Sequence, residues 1–455
     1  MKRFILIVFV VFNSCYNPIE NKTPNVIIIM TDDQGFGDLG INQNPNIITP
    51  NIDKFANKSI QFNNFFVSPV CAPTRSSLMT GRYSLRTGIR DTYNGGAIMS
   101  NNETTIAEIL KEANYATGIF GKWHLGDNYP FRPSEQGFDE SLIHLAGGIG
   151  QVGDFTNYYK GNTSYFDPIL WKNNKQNQYK GYCSDIFTEN AIEFIEKNKN
   201  NSFFCYLSFN APHTPLQVPE KYYNMYKDLD PELGFKGESL ALKMSKKDKE
   251  DARRIYGMVT NIDDNVGKVL NKLTELGIEE DTIIIFMTDN GPQQFRYNSN
   301  MKGLKGTVYN GGTRVPFYIK YAGKFKNSKV INRMSAHIDV LPTILELCNL
   351  NVPNDRKIDG QSLVSLINSK TFNDRYLFSY WTRRFPEKYI NMSIQNDNYK
   401  LVGNNDFDSK IEEFELYDLV EDPNENNNII SQNIELAKSF KIEMDNSIED
   451  LLDSE

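Results

Sequence analysis

Residues 26–33 read Val26-Ile27-Ile28-Ile29-Met30-Thr31-Asp32-Asp33, an apolar, mostly β-branched run stopped by two carboxylates. Three other runs have the same form. Tyr115–Phe120 leads into Gly121-Lys122-Trp123-His124, Phe203–Phe209 into Asn210-Ala211-Pro212-His213, and Ile283–Met287 into Thr288-Asp289-Asn290. An apolar run without alternation suits a strand covered on both faces, as in a mostly parallel sheet. Ligands collect at the carboxyl ends of such strands, and there each of these runs turns polar.

Helical patterns fall between the runs. Thr49-Pro50 reads as an N-cap followed by proline at the first helical position, ahead of Ile52, Phe55 and Ala56. Thr104 to Asn114 sets Ile106, Ile109 and Leu110 on one stripe. The longest pattern carries Ile255, Val259, Ile262, Val266 and Leu273 to a closing Gly277. Strands alternating with helices predict an α/β fold: a large, mostly parallel mixed sheet sandwiched by helices. After about residue 345 the chain turns polar, and strand-like pieces (Tyr376–Tyr380, Tyr399–Val402, Phe414–Leu419) precede a helix from Ile434. The expected division is a large α/β domain over 24–368 and a smaller α+β C-terminal subdomain over 372–455, with a small antiparallel sheet and a terminal helix.

The 455 residues are 40% hydrophobic and 23% charged, which excludes collagen-like, coiled-coil and wholly disordered chains. A net charge of −8 gives no general attraction for phosphate backbones, so no nucleic-acid partner is expected. Five cysteines are too few for a disulfide scaffold. Lys2 and Arg3 precede nine apolar residues, Phe4 to Phe12. As a helix these rise only ~14 Å, about half a bilayer core, so 1–15 reads as a signal segment rather than a span. Asn13-Ser14-Cys15 resembles the bacterial lipobox, with Phe12 where leucine is usual. The two readings are a lipoprotein anchored through Cys15 and a plain cleaved signal peptide. Both export the chain, to the periplasm or cell surface, and only the first brings it to a membrane.

Asp32-Asp33 and Asp289-Asn290 place oxygen donors at two strand ends. Each pair alone is an ordinary turn or cap. Meeting at one sheet edge, three carboxylates and an amide would suit Ca²⁺ or Mg²⁺ and not zinc. Between them lies Cys71-Ala72-Pro73-Thr74-Arg75-Ser76-Ser77-Leu78-Met79-Thr80-Gly81. Pro73 fits a first helical turn, and Cys71 and Arg75 share a helical face. A helix N-terminus with a guanidinium is a good anion site, while a buried cysteine followed by a surface arginine is the plainer reading.

Taken together, Cys-x-Pro-x-Arg-x₄-Thr-Gly at 71–81, Asp32-Asp33-Gln34-Gly35-Phe36-Gly37-Asp38 and Gly121-Lys122-Trp123-His124-Leu125-Gly126 resemble the type I, formylglycine-dependent sulfatases of the alkaline-phosphatase-like superfamily. Ala211-Pro212-His213-Thr214-Pro215, Thr288-Asp289-Asn290-Gly291, Lys305-Gly306-Thr307 and Gly311-Gly312-Thr313-Arg314-Val315-Pro316 match in the same order, and Leu416-Tyr417-Asp418-Leu419 resembles the family's closing pattern. The resemblance implies an enzyme in which a maturation enzyme oxidises Cys71 to formylglycine (3-oxoalanine), whose hydrate attacks the sulfur of a sulfate ester and then expels sulfate. It implies a cation, Ca²⁺ or Mg²⁺, held by Asp32, Asp33, Asp289, Asn290 and the converted Cys71. Arg75, Lys122 and Lys305 would balance the sulfate charge, His213 with Lys305 would protonate the leaving group, and His124 would hold the spare hydroxyl. Lys122, His213 and Lys305 would touch the substrate, expected to be a sulfated saccharide.

Other residues carry two readings. His144, near Gly147-Gly148, is a substrate contact or structural. Arg296 and Lys302 serve a polyanionic substrate or are solvated. His337 reads as a helix-start contact, and Cys183, Cys205 and Cys348 as buried small hydrophobes. The segment Gly150 to Lys180 is where specificity is expected. Thr74 and Asn310 depart from the family, which mostly has serine or alanine and a glutamate there; the second change should alter charge near the pocket. Competing functions are phosphonate monoester or phosphodiester hydrolysis at the same site, and a non-catalytic lipoprotein that binds sulfated glycans.

Overall fold

The computed structural model describes residues 23–93, 95–235, 244–383 and 385–453. The leader and Cys15 lie outside the described residues. Val26 to Met30 are fully buried because strand β1 (Asn25–Thr31) is covered on both faces. Its side chains alternate between two layers. Val26, Ile28 and Met30 join Leu78, Met79, Ile106 and Val340 on one side, and Ile27 and Ile29 join Phe187, Phe194, Ile262 and Val266 on the other. With both faces dry, the strand carries no polar side chain between its two ends.

The strands that follow are β2 (Ile60–Phe62), β3 (Phe65–Phe66), β4 (Ala116–Lys122), β5 (Glu140–His144), β6 (Ile169–Lys172), β7 (Lys175–Gln178), β8 (Phe203–Ser208), β9 (Thr282–Thr288), β10 (Phe317–Tyr321), β11 (Lys329–Ile331) and β12 (Ser335–Ala336). Ten form one sheet in the order β11-β2-β10-β9-β1-β8-β4-β5-β6-β7, and β3 pairs with β12 apart from it. The centre, β9-β1-β8-β4-β5, is parallel, and the flanking pairs β10 with β9, β6 with β5 and β7 with β6 are antiparallel. The four apolar runs are the four adjacent central strands. In register Thr31 faces Thr288, Met30 faces Ser208 and Gly121 faces Ser208, so the polar ends emerge on one edge.

Helices cover both faces as the apolar periodicities require. The helix Ile106–Glu112 starts at Thr105, whose side chain and that of Glu108 form a capping box. The helix Pro50–Asn57 does begin after Thr49, but that hydroxyl accepts from Gly40 N and donates to Asp53 instead of capping. The longest helix, Lys246–Glu275, ends just before Gly277, which takes φ +68°.

The C-terminal part is a four-stranded antiparallel sheet, β13 (Leu377–Tyr380), β14 (Met392–Gln395), β15 (Tyr399–Gly403) and β16 (Glu415–Asp418), backed by the helix Ile434–Leu452 through Phe440, Met444 and Ile448. It is tied to the large sheet by polar contacts. Lys400 Nζ meets Glu425 Oε1 at 2.8 Å and Asn310 Oδ1 at 3.0 Å, all of them buried. Glu425 Oε2 accepts from Asn310 N at 2.7 Å. Asn310 is therefore part of a buried polar anchor between the two sheets, with the Glu425 carboxylate on its backbone N–H.

Candidate active site

The Cys71–Thr80 helix starts at the carboxyl edge of the sheet, with Cys71 as its first residue and Gly81 in the left-handed conformation closing it. Thr74 donates its hydroxyl to Ser68 O at 3.2 Å, which accommodates that departure from the family. Arg75 lies one turn on, on the same face. Its Nε and Nη2 donate to Asp289 Oδ2 at 3.1 and 2.7 Å, and its Nη1 to Lys122 O and Ser208 Oγ. One buried guanidinium thus joins the ends of β9, β4 and β8. The adjacent strands β1 and β9 bring the two oxygen-donor pairs together. Asp33 N donates to Asp289 Oδ1 at 3.2 Å and Asn290 Nδ2 to Asp33 Oδ1 at 2.8 Å.

Each carboxylate of this cluster already has a cation. Lys122 Nζ is 2.6 Å from Asp32 Oδ2 and Lys305 Nζ is 2.5 Å from Asp33 Oδ1, while Arg75 holds Asp289. Burial raises Asp32 to about 6 against the pull of Lys122, and burial with the neighbouring Asp32 charge raises Asp289 to about 6. Burial works the same way on Asp33, but Lys305, His213 and the Asn290 amide outweigh it and hold Asp33 below the ordinary carboxylate range.

Three oxygens remain over. Asp32 Oδ1, Asp33 Oδ2 and Asn290 Oδ1 are buried with no hydrogen-bond partner, a state that costs about 1–3 kcal/mol per group when nothing satisfies it. Ligand atoms of Asp32, Cys71 and Asp289 lie within 4.8 Å of one another, as do those of Asp32, Asp33 and His213. A hard cation with oxygen ligands at roughly 2.0–2.6 Å fits that spacing and that donor set. The residues present therefore suit the divalent ion that the family generally uses.

Cys71 Sγ belongs to this same cluster, and Cys71, His124, His213 and Lys305 line a cavity of about 770 Å³. His124 takes a left-handed φ of +59°, and its Nε2 faces Thr92 O at 2.7 Å while Nδ1 is buried without a partner. Gly147 leaves it room, because a Cβ there would come within 2.7 Å of the ring. His213 Nδ1 faces Thr214 O at 2.7 Å, and Nε2 stands 3.7 Å from Asp33 Oδ2. Burial lowers His213 to about 3 and takes His124 well below its ordinary value, so both rings are neutral at pH 7.

A family model described as sulfatase matches residues 24–350, and one described as N-sulphoglucosamine sulphohydrolase, C-terminal, matches 304–452. The chain belongs to the sulfatase family. The N-acetylgalactosamine-6-sulfatase of Mus musculus is 31% identical over 391 residues, 79% of this sulfatase and 69% of its own length. The N-acetylglucosamine-6-O-sulfatase of Bacteroides thetaiotaomicron is 28% identical over 515 residues, covering 94% and 86%. The crystal structure of Ps i-CgsB has a TM-score of 0.79 at 28% identity, covering 93% of this chain and 92% of that one. The sulfatase is thus a sulfuric ester hydrolase on an alkaline-phosphatase-like fold. A phosphonate monoester hydrolase of Agrobacterium radiobacter, 17% identical with a TM-score of 0.65, shares the fold alone.

Some expected contacts of the sulfatase lie elsewhere. His144 is fully buried at the end of β5, its Nδ1 facing Leu145 O at 2.8 Å, and it has no face on the cavity, so the structure gives it the packing reading and not the substrate contact. Arg296 is neither solvated nor near the opening. It forms a buried ion pair with Asp38 at 2.5 Å and donates to Asp33 O at 2.8 Å, bracing the turn that carries Asp33. Lys302 is taken by Glu415 and Tyr417 of β16. His337 sits buried between Ser68 and Phe66 O. Cys183, Cys205 and Cys348 are buried free thiols. From the segment 150–180, Gln151, Val152 and Tyr158 line the cavity, and Gln151 Nε2 donates to Thr214 O at 2.7 Å. Trp381 and Arg383, also on the cavity wall, were not foreseen, because no local pattern marks them.

Proposed function

We propose that this sulfatase removes sulfate from a sulfated carbohydrate, using formylglycine derived from Cys71 and a divalent cation, Ca²⁺ or Mg²⁺. The observation that carries this reading is Cys71 Sγ within 4.8 Å of ligand atoms of Asp32 and Asp289, at the floor of an open cavity. The relatives support the substrate class. Their names include N-acetylgalactosamine-6-sulfatase, N-acetylglucosamine-6-O-sulfatase and an ulvan-active sulfatase of Formosa agariphila, and Ps i-CgsB has been solved in complex with k-i-k-neocarrahexaose.

Asp32, Asp33, Asp289 and Asn290 would hold the cation, which when bound lowers the pKa of the nucleophilic oxygen and screens the ester's charge. The converted side chain at 71 supplies an oxygen nucleophile that a thiol does not. Lys305, which lines the cavity, and Lys122, buried against Asp32, would balance the sulfate charge with cations fixed in advance. Arg75 fixes Asp289 and orients the helix beneath Cys71. His213, neutral in the free protein, becomes a proton donor when a bound anion raises its pKa. His124 presents its unpartnered Nδ1 as an acceptor. The Lys2–Cys15 leader supports export, with a lipid on Cys15; loss of fatty-acid labelling in Cys15→Ala checks that arm.

The test is free sulfate measured from a panel of sulfated mono- and oligosaccharides, on protein whose Cys71 peptide is shown by mass spectrometry to carry the aldehyde. Release from at least one member is expected. Aldehyde-bearing protein that releases sulfate from no saccharide overturns the reading.

A further inference from the structure

The cavity above Cys71 is much larger than a sulfate group needs, and its outer part carries its own chemistry. Among its described lining residues there is no carboxylate, and only Lys305 and Arg383 carry a permanent charge. Lys305 is committed to Asp33 at the floor. Arg383 has its described contacts with Asp91 and Tyr93 and none with the carboxylate cluster, and these hold it in place. Its Nη1 donates to Asp91 Oδ1 at 3.0 Å, and its guanidinium carbon lies 4.6 Å from the centre of the Tyr93 ring. Asp91 itself is buried, while the Arg383 side chain is 57% exposed, with no described partner for its remaining nitrogens. A cation with one edge fixed and the other facing a cavity is arranged to receive an anion.

Trp381 stands beside it. Asn391 donates to both Trp381 O and Gly306 O, and Trp381 N donates to Asn391 O, so the loop after β13 is tied to the residue following Lys305. The indole passes close over Gly306, where a Cβ would meet it at 3.8 Å. An indole face near a fixed guanidinium provides a platform for a sugar ring and a receptor for a charge on it.

We propose that Arg383, laid on Tyr93 and flanked by Trp381, binds a second anionic group of the saccharide, a carboxylate or a further sulfate, remote from the ester being cleaved. The substrate is then a polyanionic carbohydrate. This rests on the carbohydrate reading above. The test compares three saccharides that share one sulfated unit and differ in the neighbouring sugar: neutral, uronate-bearing or sulfated. Sulfate release is measured for wild type, Arg383→Gln, Arg383→Lys and Trp381→Ala.

Wild type should favour one charged substrate over the neutral one by about tenfold or more in kcat/KM, mostly through KM, as one charge-assisted contact implies. Which charged substrate gains identifies the group. Arg383→Gln should bring that ratio close to one, and Arg383→Lys should keep part of it. Trp381→Ala should raise KM for all three and leave the ratio standing. A wild-type ratio near one, or a ratio that survives Arg383→Gln, overturns the inference while leaving the carbohydrate reading intact. Absence of sulfate from all three, with an aryl sulfate still cleaved, overturns the carbohydrate reading instead.

Discussion

Replacing Glu425 by glutamine strands Lys400. In the native protein Lys400 Nζ has Glu425 at 2.8 Å and Asn310 Oδ1 at 3.0 Å, and both charged side chains have 0% exposure. Burial already draws Lys400 below the ordinary lysine value, even with Glu425 opposing it. Removing one partner of a buried pair costs about 3–5 kcal/mol. A ceiling follows independently. A stranded lysine can always release its proton, and moving from its ordinary 10.5 to pH 7 costs about 5 kcal/mol at 1.36 kcal/mol per unit. The expected loss for Glu425→Gln at pH 7 is therefore about 3–5 kcal/mol, read by urea unfolding followed through fluorescence and circular dichroism. The pH dependence is more discriminating. If Lys400 is neutral in the folded variant and charged when unfolded, the unfolded state binds one more proton, and stability rises with pH by about 1.4 kcal/mol per unit. Wild type keeps Glu425 beside Lys400 to favour the charged form, so its slope should be the shallower and the gap between them should narrow from pH 7 to 9. A loss below about 1 kcal/mol, the scale of an exposed pair, or a gap flat with pH would refute the reasoning.

Gly147→Ala should push the His124 ring, since the added Cβ lies 2.7 Å from it; kcat should fall about ten- to a hundredfold with little change in melting temperature. Chelation should abolish sulfate release and leave the far-UV spectrum native, because Asp32, Asp33 and Asp289 are each paired with a side-chain cation; recovery with Ca²⁺ or Mg²⁺ names the ion. His337 is held near pKa 3 by burial, below its ordinary 6.5, so the unfolded state takes up its proton first and stability falls as pH drops through that window. His337→Asn should remove up to about 1.4 kcal/mol per pH unit of that slope between pH 6.5 and 5, measured by urea titration. Arg314→Ala loses a hydrogen bond to Asn63 O at 2.7 Å and its stacking on Phe36, and should cost about 1–3 kcal/mol without altering turnover of the folded fraction.

The central strands were legible because burial on both faces writes itself into sequence as unbroken apolar runs. The strand β14 (Met392–Gln395) was not, since Met392-Ser393-Ile394-Gln395 follows a polar stretch and alternates only briefly. Asp32, Asp33, Asp289 and Asn290 could be placed at strand ends, and parallel pairing of β1 with β9 then did the rest. Long-range ion pairs left no comparable trace. Arg296 looks like any polar-loop arginine until Asp38, 258 positions away, is seen beside it. The same holds for Glu425 bound to Asn310, and for Arg383 reaching Asp91 across 292 positions. His144 carried two readings in the sequence, because Gly147-Gly148 nearby suggests a loop, whereas the ring belongs to the last residue of a buried strand.

All ten residues from Cys71 to Thr80 are buried, and Arg75 alone makes four hydrogen bonds to groups on three other segments. No second enzyme can draw such a segment into its own cleft without dismantling the centre of the sheet. Under the reading proposed above, an enzyme that converts Cys71 would therefore have to meet it while the polypeptide is still unfolded. Chain made faster than it is converted would lock away an unaltered thiol for as long as the native state lasts, and the active fraction of any preparation would be set by a race during synthesis.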